Sequence, residues 1–266
     1  MSRKTVYYHD PLHDDFAPTN GRIHPKQIGA DFPYEHEGPL WNALAFVVYR
    51  MVMTPFLFLY CKLVFGLRIE NRKALRALPG GYFLYGNHTN TLADAFIPTL
   101  LAFPRRANII TSADTVSIPG VRNIVQMLGA IPLANTIEGT RQFLAAMHRR
   151  LERGQAVMIY PEAHIWPYYG IRPFPDTSFA YPVHEQLPAV AAAVVYRQRK
   201  LLRALPPRIT VVVSDPFYPD PALPPRSARR DLHKKVYTFL CDTVSARRSY
   251  AHIEYLPAQD QNPAAR

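Results

Sequence analysis

The segment that decides the fold reads Tyr-Phe-Leu-Tyr-Gly-Asn-His-Thr-Asn-Thr-Leu-Ala-Asp-Ala-Phe-Ile, residues 82–97. Its first four residues form an apolar run that predicts a short buried strand, and Gly86 ends that run. From Thr91 onward the apolar residues have helical spacing, with Thr89, Asn90 or Thr91 as the N-cap. The segment therefore predicts a strand, a polar turn and a helix, which is a repeating unit of α/β sheets.

The turn holds His88, and the first turn of the predicted helix holds Asp94. A carboxylate in this position can accept a hydrogen bond from one imidazole nitrogen and leave the other nitrogen free to accept a proton. That pair suits a general base acting on a hydroxyl group. The alternative is a structural pair, in which the histidine is part of a turn and the aspartate favours the positive end of the helix. One motif of this kind does not decide between the two interpretations.

Apolar runs and amphipathic helical segments alternate along the rest of the chain. Predicted strands cover residues 81–85, 107–111, 129–133, 156–160, 189–196 and 209–213, and predicted helices cover residues 92–103, 119–128, 138–153 and 226–246. This alternation predicts an α/β sheet with helices on both faces. We place the main domain at residues 67–258. An N-terminal extension (1–39), a helical segment (40–66) and a C-terminal tail (259–266) complete the organisation.

Residues 40–61 are mostly apolar and carry one charge, Arg50, and the run is long enough to span a bilayer. Pro55 predicts a bend or a break in a helix. We therefore expect a bent helical pair lying in the membrane interface, the alternatives being a spanning helix or a buried core helix. Several cationic residues follow, as is typical of the cytoplasmic side of a membrane. The expected location is membrane-associated, at the cytoplasmic face.

Composition narrows the choice of partners and compartment. The formal net charge of +11 implies an acidic partner, such as nucleic acid, anionic lipid or an acidic carrier. The basic clusters are not joined to a nucleic-acid-binding signature, so we expect no nucleic-acid partner. The two cysteines, Cys61 and Cys241, match neither a disulfide framework nor a zinc site, which fits a reducing compartment. No secretion signal is recognisable at the N-terminus.

A second polar segment follows the predicted strand at 156–160, and it contains Glu162 and His164. Active sites in open α/β sheets gather at the carboxyl ends of the strands, so these side chains are expected at the same sheet edge as His88. Together the three side chains have the composition of a metal site, an alternative that spacing alone does not establish. A serine hydrolase is disfavoured because the chain has no Gly-x-Ser-x-Gly motif.

These blocks resemble those of the glycerolipid acyltransferase family, which includes lysophosphatidic acid acyltransferases. The family pattern is a His-x4-Asp motif, then a Gly-x-Ile block, a Pro-Glu-Gly-Thr-Arg-like block and a Pro-Phe-containing loop. The chain has similar blocks in the same order, at His88 with Asp94, at 129–132, at 160–162 and at 172–179. The resemblance covers roughly residues 40–215. It implies a mixed α/β sheet flanked by helices and preceded by a membrane-associated helical segment.

The resemblance implies an acyltransferase of phospholipid biosynthesis. The acyl group would pass from an acyl thioester, on coenzyme A or an acyl carrier protein, to the hydroxyl of a lysophospholipid, foremost 1-acylglycerol-3-phosphate. Membrane lipid is an implied partner, and no cofactor or metal is expected. His88 would be the general base and Asp94 would orient it. Backbone N–H groups near Gly129 and Ile131 are candidates for the oxyanion site.

The chain departs from the family pattern at three places. Five residues, not four, separate His88 from Asp94, so the turn must bulge. The third block has Ala-His-Ile at 163–165 instead of Gly-Thr-Arg, and the second has Asn135 near its missing arginine. In the family, those arginines and the glutamate are thought to hold the acceptor's phosphate. The expected acceptor site here is Glu162 with His164 and Arg172, and Arg141 is a further candidate cation.

Two other functions therefore stay open. One is a non-catalytic lipid-binding protein on an acyltransferase-like fold, and the other is acyl transfer to an acceptor that has no phosphate.

The loop at 163–188 is rich in aromatic residues that suit an alkyl chain. Those rings either line the acyl or acceptor pocket or only pack the loop on the sheet.

Overall fold

The computed structural model describes residues 4–17, 26–36, 38–118 and 120–258. A seven-stranded mixed sheet with the strand order β2-β8-β7-β3-β6-β4-β5 forms the centre of the fold. The strands of this sheet are β2 (Arg68–Glu70), β3 (Tyr82–Gly86), β4 (Ala107–Thr111), β5 (Ala130–Pro132), β6 (Ala156–Ile159), β7 (Ala189–Arg197) and β8 (Arg208–Val213). The five strands from β7 to β5 are parallel, and β8 joins them antiparallel to β7.

Helices cover both faces of the sheet, as the alternating pattern predicted. They are α1 (Pro39–Phe46), α2 (Thr54–Leu63), α3 (Lys73–Arg76), α4 (Thr91–Ala102), α5 (Arg122–Met127), α6 (Ile137–Glu152), α7 (Ala180–Glu185) and α8 (Pro225–Ala246). Two hydrophobic clusters lie on opposite faces of the sheet, because alternate residues of β3 enter different clusters: Tyr82 and Leu84 pack with α2 and α4, while Phe83 and Tyr85 pack with α6 and α8. The predicted fold class is confirmed.

Residues Pro39–Leu63 form one continuous helix rather than two separate helices. Seven residues, Val47–Met53, have π-helical hydrogen bonding and join α1 to α2. Pro55 follows this segment as the second residue of α2, and it has no N–H to donate to the preceding turn. The expected break is therefore wrong, and the irregularity that proline imposes is a wider helical turn instead.

This helix lies along the surface of the domain and divides into two faces. Tyr49, Leu57 and Cys61 are buried against the domain, and the hydroxyl of Tyr49 accepts a hydrogen bond from the N–H of Ala107 (2.9 Å). Arg50, the charge inside the apolar run, donates to the carbonyl of Pro104 (2.5 Å). The opposite face exposes large apolar side chains: Leu40, Leu44, Val47, Met51, Phe58, Leu59 and Leu63. By length and composition alone, the helix could cross a membrane.

The described parts of the N-terminal extension pack onto the domain. Its strand β1 (Lys4–Tyr8) pairs in parallel with β9 (Ile253–Pro257) in a separate two-stranded sheet. Ile28 and Tyr34 are buried, and the Tyr34 hydroxyl donates to the carbonyl of Pro132 at the end of β5 (2.9 Å). The extension is thus in contact with the sheet edge at which the candidate site residues lie. The predicted C-terminal tail, 259–266, lies outside the described residues.

Candidate active site

His88 and Asp94 meet directly after β3. The Nδ1 atom of His88 lies 2.8 Å from Oδ2 of Asp94, whose side chain is only 2% exposed. An ionised carboxylate can only accept hydrogen bonds, so Nδ1 carries the proton and Nε2 is left with a free lone pair. The His88 side chain is 24% exposed. The pair therefore has the arrangement of a histidine base with an orienting carboxylate.

The extra residue between His88 and Asp94 is accommodated in the turn. Oδ2 of Asp94 also accepts hydrogen bonds from the backbone N–H groups of Thr89 (2.8 Å) and Asn90 (2.9 Å). Asn90 is the N-cap of α4, and its side chain accepts a hydrogen bond from the N–H of Ala93 (2.9 Å). One carboxylate oxygen thus binds the imidazole and two successive N–H groups, which fixes the bulged turn.

Residues distant in sequence hold the turn from behind. The buried side chain of Asn87 bridges to β7, accepting from the N–H of Val194 (2.7 Å) and donating to the carbonyl of the same residue (3.1 Å). The hydroxyl groups of Thr89 and Tyr196 lie 2.8 Å apart. The carbonyl of His88 accepts a hydrogen bond from the N–H of Trp166 (3.1 Å). The imidazole therefore projects from a turn whose backbone is fixed on both sides.

Tyr160, at the end of β6, supports both members of the pair. Its ring stacks on the imidazole of His88, with centroids 4.7 Å apart and planes 18° apart. Its hydroxyl donates to the backbone carbonyl of Asp94 (2.6 Å). Burial raises the pKa of Tyr160 well above its ordinary value, so this hydroxyl remains a donor over the whole physiological range.

Glu162 and Arg172 form a buried ion pair rather than an open acceptor site. Nε of Arg172 lies 3.4 Å from Oε2 of Glu162, and the two side chains are 2% and 0% exposed. The guanidinium also donates to the backbone carbonyls of Glu162, His164 and Pro11. Burial raises the pKa of Glu162 to about 8, although Arg172 and the backbone N–H of His88 both lower it. Glu162 therefore supports the backbone beneath the imidazole.

The remaining candidate cations lie in two different places. His164 is 36% exposed, and its Nδ1 lies 3.7 Å from a carboxylate oxygen of Asp15 in the N-terminal extension. Arg141 is exposed in the second turn of α6, a helix that begins just after β5. Of the three cations expected to replace the family arginines, Arg172 is thus enclosed and His164 faces a carboxylate. Arg141 alone is open to solvent.

The extension binds both positions at which the family pattern has arginine. The amide of Asn135 accepts from the N–H of Ile28 (2.8 Å) and donates to the carbonyl of Lys26 (3.2 Å). At the other position, the backbone N–H of Ile165 donates to the carboxylate of Asp15 (3.1 Å), and the Ile165 carbonyl accepts from the N–H of Phe16 (3.1 Å). Segments of the extension therefore contact the loops that follow β5 and β6.

Gly129 and Ile131 are not brought to His88. β6 and β4 lie between β3 and β5, a separation of about 14 Å at the usual strand spacing. The N–H of Gly129 donates to the carbonyl of Gln126 (3.0 Å), and Ile131 lies inside β5 opposite Ile110. Gly129 has a φ of +99°, and a Cβ would lie 2.6 Å from the carbonyl oxygen of Ala107. This glycine is thus required by a close turn.

The large rings of the 163–188 loop are buried or half-buried. Trp166 and Phe179 are 1% and 0% exposed, and Phe179 stacks on Tyr85 with centroids 4.2 Å apart. Trp166 packs between Tyr8 and Tyr255, on the β1–β9 side of the molecule. Of the two interpretations of these rings, packing on the sheet fits their burial.

The metal-site alternative does not fit the donor set. It requires Glu162, whose carboxylate is enclosed and opposed by the Arg172 guanidinium. Within the described parts of the chain, no group of three or more His, Cys, Asp or Glu side chains is arranged to hold an ion. The His88 pair is therefore interpreted as acid–base machinery.

The segment that holds these residues matches a known protein family. Residues 66–195, which include His88, Asp94, Glu162 and Arg172, match a protein-family model described as acyltransferase. By this match, residues 66–195 form an acyltransferase-type segment. The resemblance noted from the ordered blocks is thus confirmed, and with it the expectation of an acyltransferase enzyme.

The fold of this acyltransferase is similar to a solved structure. It is described as the crystal structure of the 1-acyl-sn-glycerophosphate (LPA) acyltransferase PlsC from Thermotoga maritima, with a TM-score of 0.54 and 16% sequence identity. The alignment covers 79% of this chain and 96% of that one. At this identity the likeness concerns the fold. No curated protein sequence matches the chain.

Proposed function

We propose that this acyltransferase moves a fatty acyl group from an acyl thioester to the hydroxyl of a lysophospholipid in phospholipid biosynthesis. The observation that carries the proposal is the 2.8 Å contact between Nδ1 of His88 and Oδ2 of Asp94 in a partly exposed turn. The family match supports acyl transfer. The donor is acyl-coenzyme A or an acyl carrier protein, which the positive net charge of +11 suits.

The residues would act in two proton transfers. Nε2 of His88 takes the proton from the acceptor hydroxyl while that oxygen attacks the thioester carbonyl, and Asp94 stabilises the imidazolium that forms. When the tetrahedral intermediate collapses, the carbon–sulfur bond breaks and the imidazolium returns its proton to the departing thiolate. The products are an ester and a free thiol. No covalent intermediate on the enzyme is needed, because the thioester is already activated.

An apolar cavity on the α4 side of the sheet is the proposed acyl-chain site. It has a volume of about 120 Å³ and lies between the long helix, α4 and β4. Its lining includes Met53, Leu57, Phe96 and Ile109, and Phe96 follows Asp94 on α4 by two residues. Apolar walls of this kind suit an alkyl chain.

The membrane would lie against the helix Pro39–Leu63. Because its inner face contacts the domain from Tyr49 to Cys61, the helix axis runs along the domain surface. Its exposed apolar side chains then meet lipid most simply if the helix lies in the plane of the interface. The cationic residues that follow, Lys62, Arg68 and Lys73, favour attachment to the cytoplasmic leaflet.

The first candidate acceptor is 1-acylglycerol-3-phosphate, the acceptor named for the Thermotoga maritima structure. Of the three candidate cations, we assign its phosphate to Arg141, which is exposed on α6. A second candidate is an acceptor without a phosphate monoester. That candidate is favoured by the enclosed state of Arg172 and by the contacts of the extension with Asn135 and Ile165.

The His88→Ala variant tests the reaction. We expect it to fold normally and to lose acyl transfer by roughly 10²–10⁴-fold, which is the usual contribution of a general base. The His148→Ala variant is the matched control, because His148 is a surface histidine that also contacts carboxylates. Turnover near that of the wild type in a folded His88→Ala protein would refute the assignment, and so would silence of the wild type with every thioester and acceptor.

An acceptor panel separates the two candidates. Purified protein in detergent is given labelled acyl-coenzyme A or acyl carrier protein, with acceptors that differ only in the headgroup. Preference for the phosphate monoester, with a higher KM in Arg141→Ala, supports 1-acylglycerol-3-phosphate. Equal or better use of neutral or phosphodiester acceptors supports the second candidate.

A further inference from the structure

We infer that the tip of the β7–β8 hairpin, residues 198–207, is a second membrane-binding element that inserts Leu201 and Leu202 into an anionic lipid surface. The inference rests on the proposed membrane association of the long helix. It adds a contact at a different place in the fold, on the side of the sheet edge where the catalytic turn lies.

The hairpin projects beyond the catalytic edge of the sheet. β7 is parallel to β3, and Ala192 lies opposite Gly86, the last residue of β3. From Ala192 the strand continues to Arg197, five residues farther (197 − 192), which is about 17 Å in extended chain. The connection to β8 then extends from that level, so its tip is on the His88 side of the molecule.

Two leucine side chains at the tip are exposed to solvent, so packing within the chain does not explain their positions. Leu201 is 82% exposed and Leu202 is 70% exposed. Leu202 also has a φ of +55°, a left-handed conformation that is unfavourable for a residue with a Cβ. A backbone that holds an exposed leucine in this conformation indicates a role for that side chain outside the folded chain itself.

The tip is attached to the end of the long helix. The Arg199 guanidinium donates to the carbonyl of Val64 (2.5 Å) and to the carbonyl of Pro206 (2.7 Å), which ties both sides of the connection to the residue after α2. The N–H of Ile209 donates to the carbonyl of Phe65 (2.9 Å). Leu59 and Leu63, in the last turns of α2, are 57% and 64% exposed. The leucines of the tip therefore continue the apolar face of the helix.

The charges around the tip indicate which lipid it meets. Lys200 and Arg203 flank the two leucines and are exposed, and Lys62 is exposed in the last turn of α2. Cations beside inserted apolar side chains favour an anionic surface. Other exposed apolar side chains lie at the same edge of the sheet, namely Leu92 at the start of α4, Leu133 after β5 and Ile137 at the start of α6. Lipid bound there would face the catalytic turn.

Vesicle co-sedimentation of the full chain tests the inference. The variant is Leu201→Ser/Leu202→Gly, in which glycine suits the positive φ and therefore preserves folding. We expect its partition onto phosphatidylcholine–phosphatidylglycerol vesicles to be about tenfold weaker than that of the wild type, because two apolar side chains no longer insert. The control, Tyr218→Ser/Leu223→Ser, changes exposed residues at the opposite edge and should alter partition less than twofold.

A second variant separates charge from apolar insertion. Lys200→Gln/Arg203→Gln should weaken binding to the anionic vesicles about tenfold or more and leave binding to pure phosphatidylcholine vesicles unchanged. If the leucine variant has an unchanged melting temperature and binds as tightly as the control, the inference is wrong. Saturable binding of the tip to a protein in place of vesicles would also overturn it. The assay measures no catalysis, and His88→Ala should bind vesicles as the wild type does, so the inference and the proposed reaction fail separately.

Discussion

The ends of β3 and β6 lie side by side in the sheet and carry the same kinds of residue. Their side chains differ in exposure to solvent. After β3, the carboxylate of Asp94 is buried while the imidazole it binds is 24% exposed. After β6, both Glu162 and its partner Arg172 are enclosed, with side-chain exposures of 0% and 2%. The first pair keeps one nitrogen accessible to a substrate, and the second pair keeps nothing accessible.

The difference follows from what covers each strand end. The loop after β6 is covered by the N-terminal extension, through Pro11, Asp15 and Phe16. The turn after β3 is held from behind by Asn87 and Thr89, which leaves its outer side uncovered. Whether a polar pair at a strand end is enclosed or left open to a substrate therefore depends on the neighbouring segment, and its own sequence does not decide this.

The largest expected effect is the loss of acyl transfer in Asp94→Asn, which changes the carboxylate of the partly exposed pair. The amide oxygen can still accept from the N–H groups of Thr89 and Asn90, so we expect the fold to persist. The imidazole loses the charge that fixes its tautomer, and kcat/KM should fall roughly 10²–10⁴-fold. The measurement is acyl transfer from a labelled thioester, with circular dichroism as the check on folding.

The control for this variant is Asp231→Asn, because Asp231 is a carboxylate of α8 that pairs with Lys235 at the helix surface. It should keep its activity within a factor of two. An unchanged kcat/KM in Asp94→Asn would contradict the proposal, because the pair after β3 would then contribute no more to the reaction than the enclosed pair after β6.

The enclosed pair should instead control stability. In Arg172→Ala the carboxylate of Glu162 loses its buried partner, and three backbone carbonyls lose a donor. The free energy of unfolding should fall by about 3–5 kcal/mol, because each buried carbonyl left without its donor costs roughly 1–3 kcal/mol. Denaturant unfolding measures this, and Arg229→Ala, which breaks an ion pair with a 28% exposed arginine, should cost less than about 1 kcal/mol.

The same variant also tests the expected role of Arg172 in acceptor binding. A normal unfolding free energy with a large rise in the KM of a phosphate acceptor would show that Arg172 binds substrate despite its burial. We expect the reverse, with the KM of the folded fraction changed less than threefold, because the guanidinium has no open side.

Much of the fold could be predicted from periodicity. The apolar pattern predicts the strand Ala107–Thr111 at its observed bounds, and it predicts the ends of the helices α6 and α8 to within one residue. Each of these elements is long or strongly patterned and buries one clear face. The strands β1, β2 and β9 were missed. They are short or half-exposed, and β1 pairs with a strand at the far end of the chain, so no local pattern marks it.

The site was predictable only where its residues lie near each other in sequence. His88 and Asp94 were found because a turn and a helix start join them over seven residues. Tyr196, whose hydroxyl contacts Thr89 across the sheet, leaves no local signal. The placement of Gly129 and Ile131 was set by strand order, in which two strands separate β5 from β3, and spacing along the chain does not reveal that order.

The smallest expected effect concerns the pH dependence of stability. Burial raises the pKa of Glu162 to about 8 in the folded protein, against an ordinary value of 4.5. Between these two pH values the unfolded chain releases a proton that the folded chain retains, so the contribution of Glu162 to stability is present below pH 4.5 and declines as pH rises towards 8. Glu162→Gln cannot titrate, so it should lack this decline, which is at most about 1.4 kcal/mol for each pH unit between these values.

Denaturant unfolding at a series of pH values measures that difference. The unfolding free energy of Glu162→Gln relative to the wild type should increase steadily with pH, whereas Glu152→Gln, at a 62% exposed carboxylate, should keep a constant offset. A constant offset for Glu162→Gln as well would mean that Glu162 is ionised in the folded protein across this range. The pair after β6 would then be fully charged although it is enclosed. Burial would in that case not distinguish the charge of the Glu162 carboxyl from that of the Asp94 carboxyl.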